Sequence, residues 1–210
     1  MRYFNILNKM IEQKLAVVIR GDNIGMAERT AAACVAGGVN TLEVTFTVPG
    51  AEQLLEHLHQ KFQDNKSIVI GAGTVLDSET ARIAILSGTS FIVSPGFDIE
   101  TAKICNKYSV PYLPGCMTVN EMIEAVQYGV HVVKLFPGSE FSPSFIKNIH
   151  GPLPHINIMP TGGITLDNVG DWLNAGAVMV GVGGEITKPA KEGNYEEVTK
   201  LASLFKQKVV

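Results

Sequence analysis

Charge is scarce in this 210-residue chain: Asp, Glu, Lys and Arg make up 18%, and the formal net charge is −3. A chain so close to neutral has no basic field with which to hold a nucleic-acid backbone. Cysteine is scarcer still. Cys34, Cys105 and Cys116 stand far apart with no CxxC pair, which excludes a disulfide framework and reads as reduced thiols in the cytoplasm. No apolar run reaches the roughly 18 residues that a membrane span needs. The opening MRYFNILNKMIEQK holds Glu12 and polar side chains where a secretory leader has its apolar stretch. The five histidines are scattered, and His57 and His59, two apart, point to different helix faces; no metal site is expected from them. What the chain does have is apolar residues, 46% of it, with a mean hydropathy of +0.18. That excludes disorder and suffices for a sizeable core. With no linker or low-complexity stretch, residues 1–210 read as one domain.

Eight short β-branched runs punctuate the sequence: LAVVIR (15–20), TLEVTF (41–46), IVIGAGT (68–74), FIVSP (91–95), PYLPGC (111–116), HVVKLFP (131–137), INIMPTGG (156–163) and AVMVGVG (177–183). Their starts lie 20 to 27 residues apart, room for a strand, a helix and two short loops. Continuous apolarity marks strands buried on both faces of a parallel sheet. Helix signals fill the gaps. Thr118 and Glu121 form a capping box ahead of Val119, Met122, Ile123 and Val126, and Gly129 ends that pattern. Thr165 is read as the cap of a segment carrying Leu166, Val169 and Leu173, and Tyr195 to Lys208 as a last helix. The first dozen residues read as an extra helix. The expectation is a single (β/α)8 TIM barrel with that additional N-terminal helix. A dinucleotide-binding fold is excluded, because neither Gly71-Ala72-Gly73 nor Gly181-Val182-Gly183 has the third glycine of GxGxxG.

Alternation along barrel strands then sorts the side chains. In TLEVTFT, Leu42, Val44 and Phe46 face the helices, leaving Glu43, Thr45 and Thr47 inward. In HVVKLFP, Val133 and Leu135 face out, and Val132, Lys134 and Phe136 face in. One carboxylate and one ammonium thus enter the same interior, where an unpaired charge costs several kcal/mol. A purely structural ion pair is one reading. The other is chemical: burial disfavours the ammonium form, and a neutral amine attacks a ketone to give a Schiff base. Glu43 pulls the other way, so desolvation or a second cation must outweigh it; Arg20, at the end of the first run, is the candidate cation.

Two glycine pairs close the last two runs: Gly162-Gly163 after Thr161, and Gly183-Gly184. Loops after strands seven and eight of a barrel are where phosphate commonly binds, on backbone N–H groups. Thr74, ending GAGT, adds a hydroxyl, and Cys116 reads as a small buried side chain. On residues alone, three functions stay open. They are an aldolase, an isomerase or synthase of a phosphorylated ligand with Glu43 as base, and a non-catalytic sugar-phosphate sensor.

The stretches LEVTFTVPGA, GAGTVL, FIVSPGF, PYLPGCMT, VVKLFPGS and MPTGGI, in that order, resemble the 2-keto-3-deoxy-6-phosphogluconate / 4-hydroxy-2-oxoglutarate aldolases, a class I family with a TIM-barrel fold. The resemblance runs through nearly the whole chain to Gly184. It implies that Lys134 forms the Schiff base with a keto-acid substrate and that Glu43 is the general acid/base. It further implies that Thr74 and the backbone around Pro95 line the pyruvate pocket, with Phe136 and Thr161 beside them, and that Gly162 and Gly163 help bind phosphate. A homotrimer using no cofactor is implied as well. Two departures stand out. Thr47 occupies a place where many members carry a carboxylate-binding arginine, so Arg20 is expected to take over. Gly183-Gly184-Glu185 lacks the serine that many members place on the phosphate, so phosphorylated and unphosphorylated keto acids are both expected as substrates.

Overall fold

The computed structural model describes residues 2–209. Helix α1 (Arg2–Gln13) precedes strand β1 (Leu15–Ile19), and strands then alternate with helices to the end. The order is α2 (Ile24–Ala36), β2 (Thr41–Thr45), α3 (Ala51–Lys61), β3 (Val69–Gly73), α4 (Ser78–Leu86), β4 (Ile92–Val93) and α5 (Ile99–Lys107). There follow β5 (Tyr112–Leu113), β6 (Gly115–Cys116), α6 (Val119–Gln127), β7 (Val132–Leu135), α7 (Ser144–His150), β8 (Asn157–Pro160) and α8 (Val169–Asn174). Strand β9 (Val180–Val182), α9 (Gly184–Thr187) and α10 (Tyr195–Val209) complete the chain. Every predicted run carries a strand. The fifth is broken in two at Pro114, which has no N–H for the ladder.

All recorded pairings are parallel. One sheet runs β5-β4-β3-β2-β1-β9 and forms a half-barrel, and a second runs β6-β7-β8. The two meet at Pro114, between β5 and β6, and at a parallel bridge between Thr161 and Gly181. This is an α/β fold built on parallel strands, arranged as two sheets where one eight-stranded barrel was expected. Register sets Val18 opposite Glu43, Glu43 opposite Gly71, and Gly115 opposite Lys134.

Alternation divides the core as expected. Leu42, Val44, Val133 and Leu135 pack outward in the large cluster shared with the helices. Ala16, Val69, Phe91, Val93, Leu113, Val132 and Met159 form a second, inner cluster, completed by Leu7 and Met10 of α1. Lys9 and Gln13 of α1 donate to the carbonyls of Lys66 and Ser67, just ahead of β3. The extra helix therefore sits at the N-terminal ends of the strands, and its apolar side chains fill the floor. At the opposite ends, capped helices turn the chain back. Asn23, Asp77 and Asp98 accept from Met26, Thr80 and Thr101 N–H groups at the starts of α2, α4 and α5. Thr118 and Glu121 cap α6 reciprocally. One cap differs from expectation: Thr165 and Asn168 bond each other's backbone N–H in a turn, and α8 starts only at Val169. Among the described residues no helix is long and apolar enough to cross a membrane.

Candidate active site

The predicted site residues gather at the C-terminal ends of the strands. Glu43 and Lys134 lie within β2 and β7; Arg20, Thr47, Thr74, Pro95, Phe136, Thr161, Gly162, Gly163, Gly183 and Gly184 all lie just past strand ends. Scattered over some 165 residues of sequence, they meet because every parallel strand delivers its end to the same face.

Lys134 and Glu43 are the charged pair of the interior. Lys134 Nζ lies 3.7 Å from Glu43 Oε1, with the two side chains 7% and 1% exposed. Lys134 Nζ also stands 4.9 Å from the centre of the Phe136 ring. Glu43 Oε2 is buried without any hydrogen-bond partner. Oε1 is the oxygen beside the amine, and Oε2 keeps its hydrogen-bonding capacity unspent. Lys134 is fixed from both sides, its N–H donating to Pro114 O and its strand paired with β6 and β8.

Arg20 and Thr47 are also brought together. Arg20 Nη1 donates to Thr47 Oγ1 at 3.3 Å, and Thr47 is held by Thr45 Oγ1 at 2.7 Å, which itself contacts Ile19 O. Arg20 is exposed, at the rim. Lys134 has Glu43 and the Phe136 ring beside it, and the side-chain partner of Arg20 is Thr47.

A cleft of about 320 Å³ opens at this end, lined by Arg20, Phe136, Thr161, Gly162, Gly163, Gly183 and Gly184 among others. Phe136 lines this cleft and also stands beside Lys134, whereas Lys134 and Glu43 themselves lie beneath its wall rather than in it. Gly162 and Gly163 adopt φ of 90° and 73°, conformations that glycine takes without strain. Among the described residues, the N–H groups of Gly162, Gly163 and Gly184 have no backbone acceptor. Thr161 Oγ1 is buried and unpartnered at the same place.

Thr74 and Pro95 are placed less directly. Thr74 has φ 56°, a left-handed conformation that is costly for a β-branched residue, of the order of 1–3 kcal/mol, and that clusters at working sites. Pro95 is exposed, and its carbonyl is packed against Gly115, the register partner of Lys134. Neither lines the cleft. Cys116 is buried, and burial pushes its thiol up to about 12, so it is not a nucleophile near neutral pH. Lys188 escaped the sequence reading: it lines the cleft with Gly184 and Glu185, and an adjoining lobe of about 500 Å³ adds Asp22 and Lys191, equally unforeseen. The signal was present in the spacing of Gly184 and Lys188, four apart and so on one face of a helical turn.

Comparison with known proteins places the chain in a family. The KHG/KDPG aldolase of Escherichia coli (strain K12) is 32% identical over 176 residues, covering 82% of this chain and 81% of that one. The structure of KDPG aldolase from Legionella pneumophila, with pyruvate captured at low pH as a covalent carbinolamine intermediate, shares 31% identity and a TM-score of 0.83. The match covers 90% of this chain and 92% of that one. A cube-shaped, highly porous protein cage designed by fusing symmetric oligomeric domains matches with a TM-score of 0.85 and 27% identity, over 93% of this chain and 71% of that one. The family model for KDPG and KHG aldolases matches residues 6–201. The chain belongs to the KDPG and KHG aldolase family.

Proposed function

We propose that the protein is a class I aldolase that reversibly cleaves 2-keto-4-hydroxy acids to pyruvate and an aldehyde through a Schiff base on Lys134. The observation that carries this reading is the buried approach of Lys134 Nζ to Glu43 Oε1, 3.7 Å apart. Lys134 first passes a proton to the Glu43 carboxylate; the neutral amine attacks the C2 carbonyl, and the same proton, returned by Glu43, lets the carbinolamine hydroxyl leave as water. The Glu43 carboxylate then takes the proton of the C4 hydroxyl. The C3–C4 bond breaks, its electron pair passes into the iminium to give an enamine, and the aldehyde departs. Protonation at C3 and hydrolysis release pyruvate and restore the amine. The lysine is the electron sink, so the route calls for no cofactor.

In this reading Arg20 and Thr47 hold the C1 carboxylate, while Thr74, Phe136, Thr161 and the Pro95 backbone shape the pyruvate pocket. The N–H groups at Gly162, Gly163, Gly183 and Gly184 receive a phosphate. Substrates are 2-keto-3-deoxy-6-phosphogluconate, giving glyceraldehyde 3-phosphate, and 4-hydroxy-2-oxoglutarate, giving glyoxylate. The architecture we infer is one domain, residues 1–210, with both sheets closing through Pro114 and the Thr161–Gly181 bridge into an eightfold barrel. We further infer a homotrimer, with exposed Leu76, Ile83, Leu86, Met117, Val119 and Ile123 as the apolar surface for neighbouring copies, and a cytoplasmic setting suited to three free cysteines.

Borohydride reduction in the presence of pyruvate tests the chemistry. The expected result is inactivation, with reduced pyruvate on the peptide carrying Lys134. Label on Lys147 or Lys188, or none, overturns the assignment. Loss of activity in chelator would point to a metal-dependent route instead.

A further inference from the structure

Lys188 stands where the two lobes of the cleft meet. The inner lobe runs along Phe136 and Thr161 to Ile164, and the outer lobe along Gly21, Asp22, Thr187 and Lys191. Only Val18, Arg20, Gly183, Gly184 and Lys188 line both. Of the two cations in that shared wall, Arg20 is engaged by Thr47. Among the described residues Lys188 takes part in no ion pair and no side-chain hydrogen bond. It is exposed, and follows Gly184 by four residues across α9, so both rise on one face of that turn.

We propose that Lys188 is the specificity-determining cation of this site: its ammonium receives the phosphate monoester at the far end of the substrate. Phosphorylated 2-keto-4-hydroxy acids are thereby preferred over unphosphorylated ones. The inference rests on the aldolase reading above and deepens it. With C2 held on Lys134, the substrate is a ruler laid from the interior to the rim. In 4-hydroxy-2-oxoglutarate the second carboxylate is attached to C4 and stays near the reacting bond. In the sugar acid the phosphate is carried on C6, two carbons and an ester oxygen further out, toward the wall that Lys188 forms. A phosphate monoester carries a charge of about −1.5 to −2 at neutral pH, and a lysine meets it as a mobile point charge. Gly184 has no hydroxyl to give; Lys188 supplies charge in its place, one turn on.

The test compares kcat/KM for 2-keto-3-deoxy-6-phosphogluconate and 4-hydroxy-2-oxoglutarate in Lys188→Met, Lys188→Arg and Lys208→Met. The last makes the same charge change on α10, away from the cleft. In Lys188→Met the ratio favouring the phosphorylated substrate falls by about tenfold or more, as expected for a lost charge-assisted bond. The loss appears as a higher KM, and added salt narrows the gap between variant and parent. Lys188→Arg restores most of the ratio, and Lys208→Met leaves it in place. An unchanged ratio in Lys188→Met, an equal fall for both substrates, or an equal shift in Lys208→Met overturns the proposal. Borohydride trapping of pyruvate is scored on the same preparations. If the parent does not trap, the aldolase reading fails; if it traps while the ratio stays fixed, only the role of Lys188 fails.

Discussion

Gly73 makes room for Glu43. A Cβ at position 73 would lie 2.7 Å from Glu43 Cδ and would collide with the carboxylate. The neighbouring strand therefore needs glycine so that the acid can stand upright beside Lys134. Gly73→Ala is expected to displace the carboxylate, the most yielding atoms in the clash. Turnover falls by about 10²-fold or more, as for loss of a general acid/base, while overpacking costs about 1–3 kcal/mol of stability. Steady-state kinetics beside a thermal melt checks both. Normal turnover in a folded Gly73→Ala protein would mean that Glu43 has freedom to work from another position.

The Lys134–Glu43 pair separates stability from chemistry. Glu43→Gln keeps size and hydrogen-bonding capacity but removes basicity, so turnover is expected to fall about 10²–10⁴-fold in a folded protein. Lys134→Met abolishes activity and leaves a buried carboxylate without its partner, a loss of about 3–5 kcal/mol. Combining both substitutions removes the stranded charge and restores most of the stability, yet not the activity. A double variant as unstable as Lys134→Met would show that the pair holds the fold together by more than its charges.

Much of this site was legible in the sequence because parallel strands obey a period of two. Once LEVT and VVKL were read as strands, Glu43 and Lys134 had to face inward, and the two core clusters divide along that line. The Thr118 capping box was equally legible, being a local device. What was not legible depends on tertiary path. Pro114 divides a run that looked continuous, because the ladder needs an N–H that proline lacks. Thr165 met Asn168 in a turn before the helix began. Lys188 lies outside every strand, and its four-residue spacing from Gly184 becomes telling only once the chain after β9 is seen to run along the cleft.

Arg20 and Thr47 touch at the rim, and we propose that together they bind the substrate carboxylate. Arg20→Gln is expected to raise KM for the keto acid by about tenfold or more, the value of a charge-assisted hydrogen bond. The guanidinium already reaches Thr47 Oγ1, so the charge can be relocated: Arg20→Gln with Thr47→Arg recovers part of the loss. Titration of pyruvate protection against borohydride measures this without the aldehyde half. An Arg20→Gln enzyme with unaltered KM would remove Arg20 from the site.

Acid sensitivity is expected at α6. Burial pushes the Glu121 carboxyl up, but hydrogen bonds from Met117 N, Thr118 N and Thr118 Oγ1 outweigh it and hold the group below its ordinary value. A carboxyl depressed in the folded state adds stability above its unfolded pKa, and the contribution is lost as pH falls through the folded value. Glu121→Gln therefore melts below the parent at pH 7, and the two curves converge as pH falls through the depressed folded value. A gap that persists in acid would mean that shape, not charge, is what the variant loses.

Substrate breadth turns on Gly184. A Cβ there would meet nothing within 4 Å, so Gly184→Ser fits without moving its neighbours. Gly184 lines both lobes of the cleft, so the new hydroxyl faces the place where a phosphate would arrive. One charge-assisted hydrogen bond contributes roughly 1.5–3 kcal/mol, and the 4-hydroxy-2-oxoglutarate reaction, whose far carboxylate is borne on C4, has no use for it. The parent is therefore expected to cleave both substrates, with specificity constants closer together than in the serine variant. Gly184→Ser raises kcat/KM for 2-keto-3-deoxy-6-phosphogluconate and leaves that for 4-hydroxy-2-oxoglutarate nearly unchanged. Measuring both constants in both proteins decides it. If the parent already discriminates strongly for phosphate and serine adds nothing, backbone N–H groups and Lys188 satisfy the phosphate between them, and the missing hydroxyl has no consequence for substrate choice.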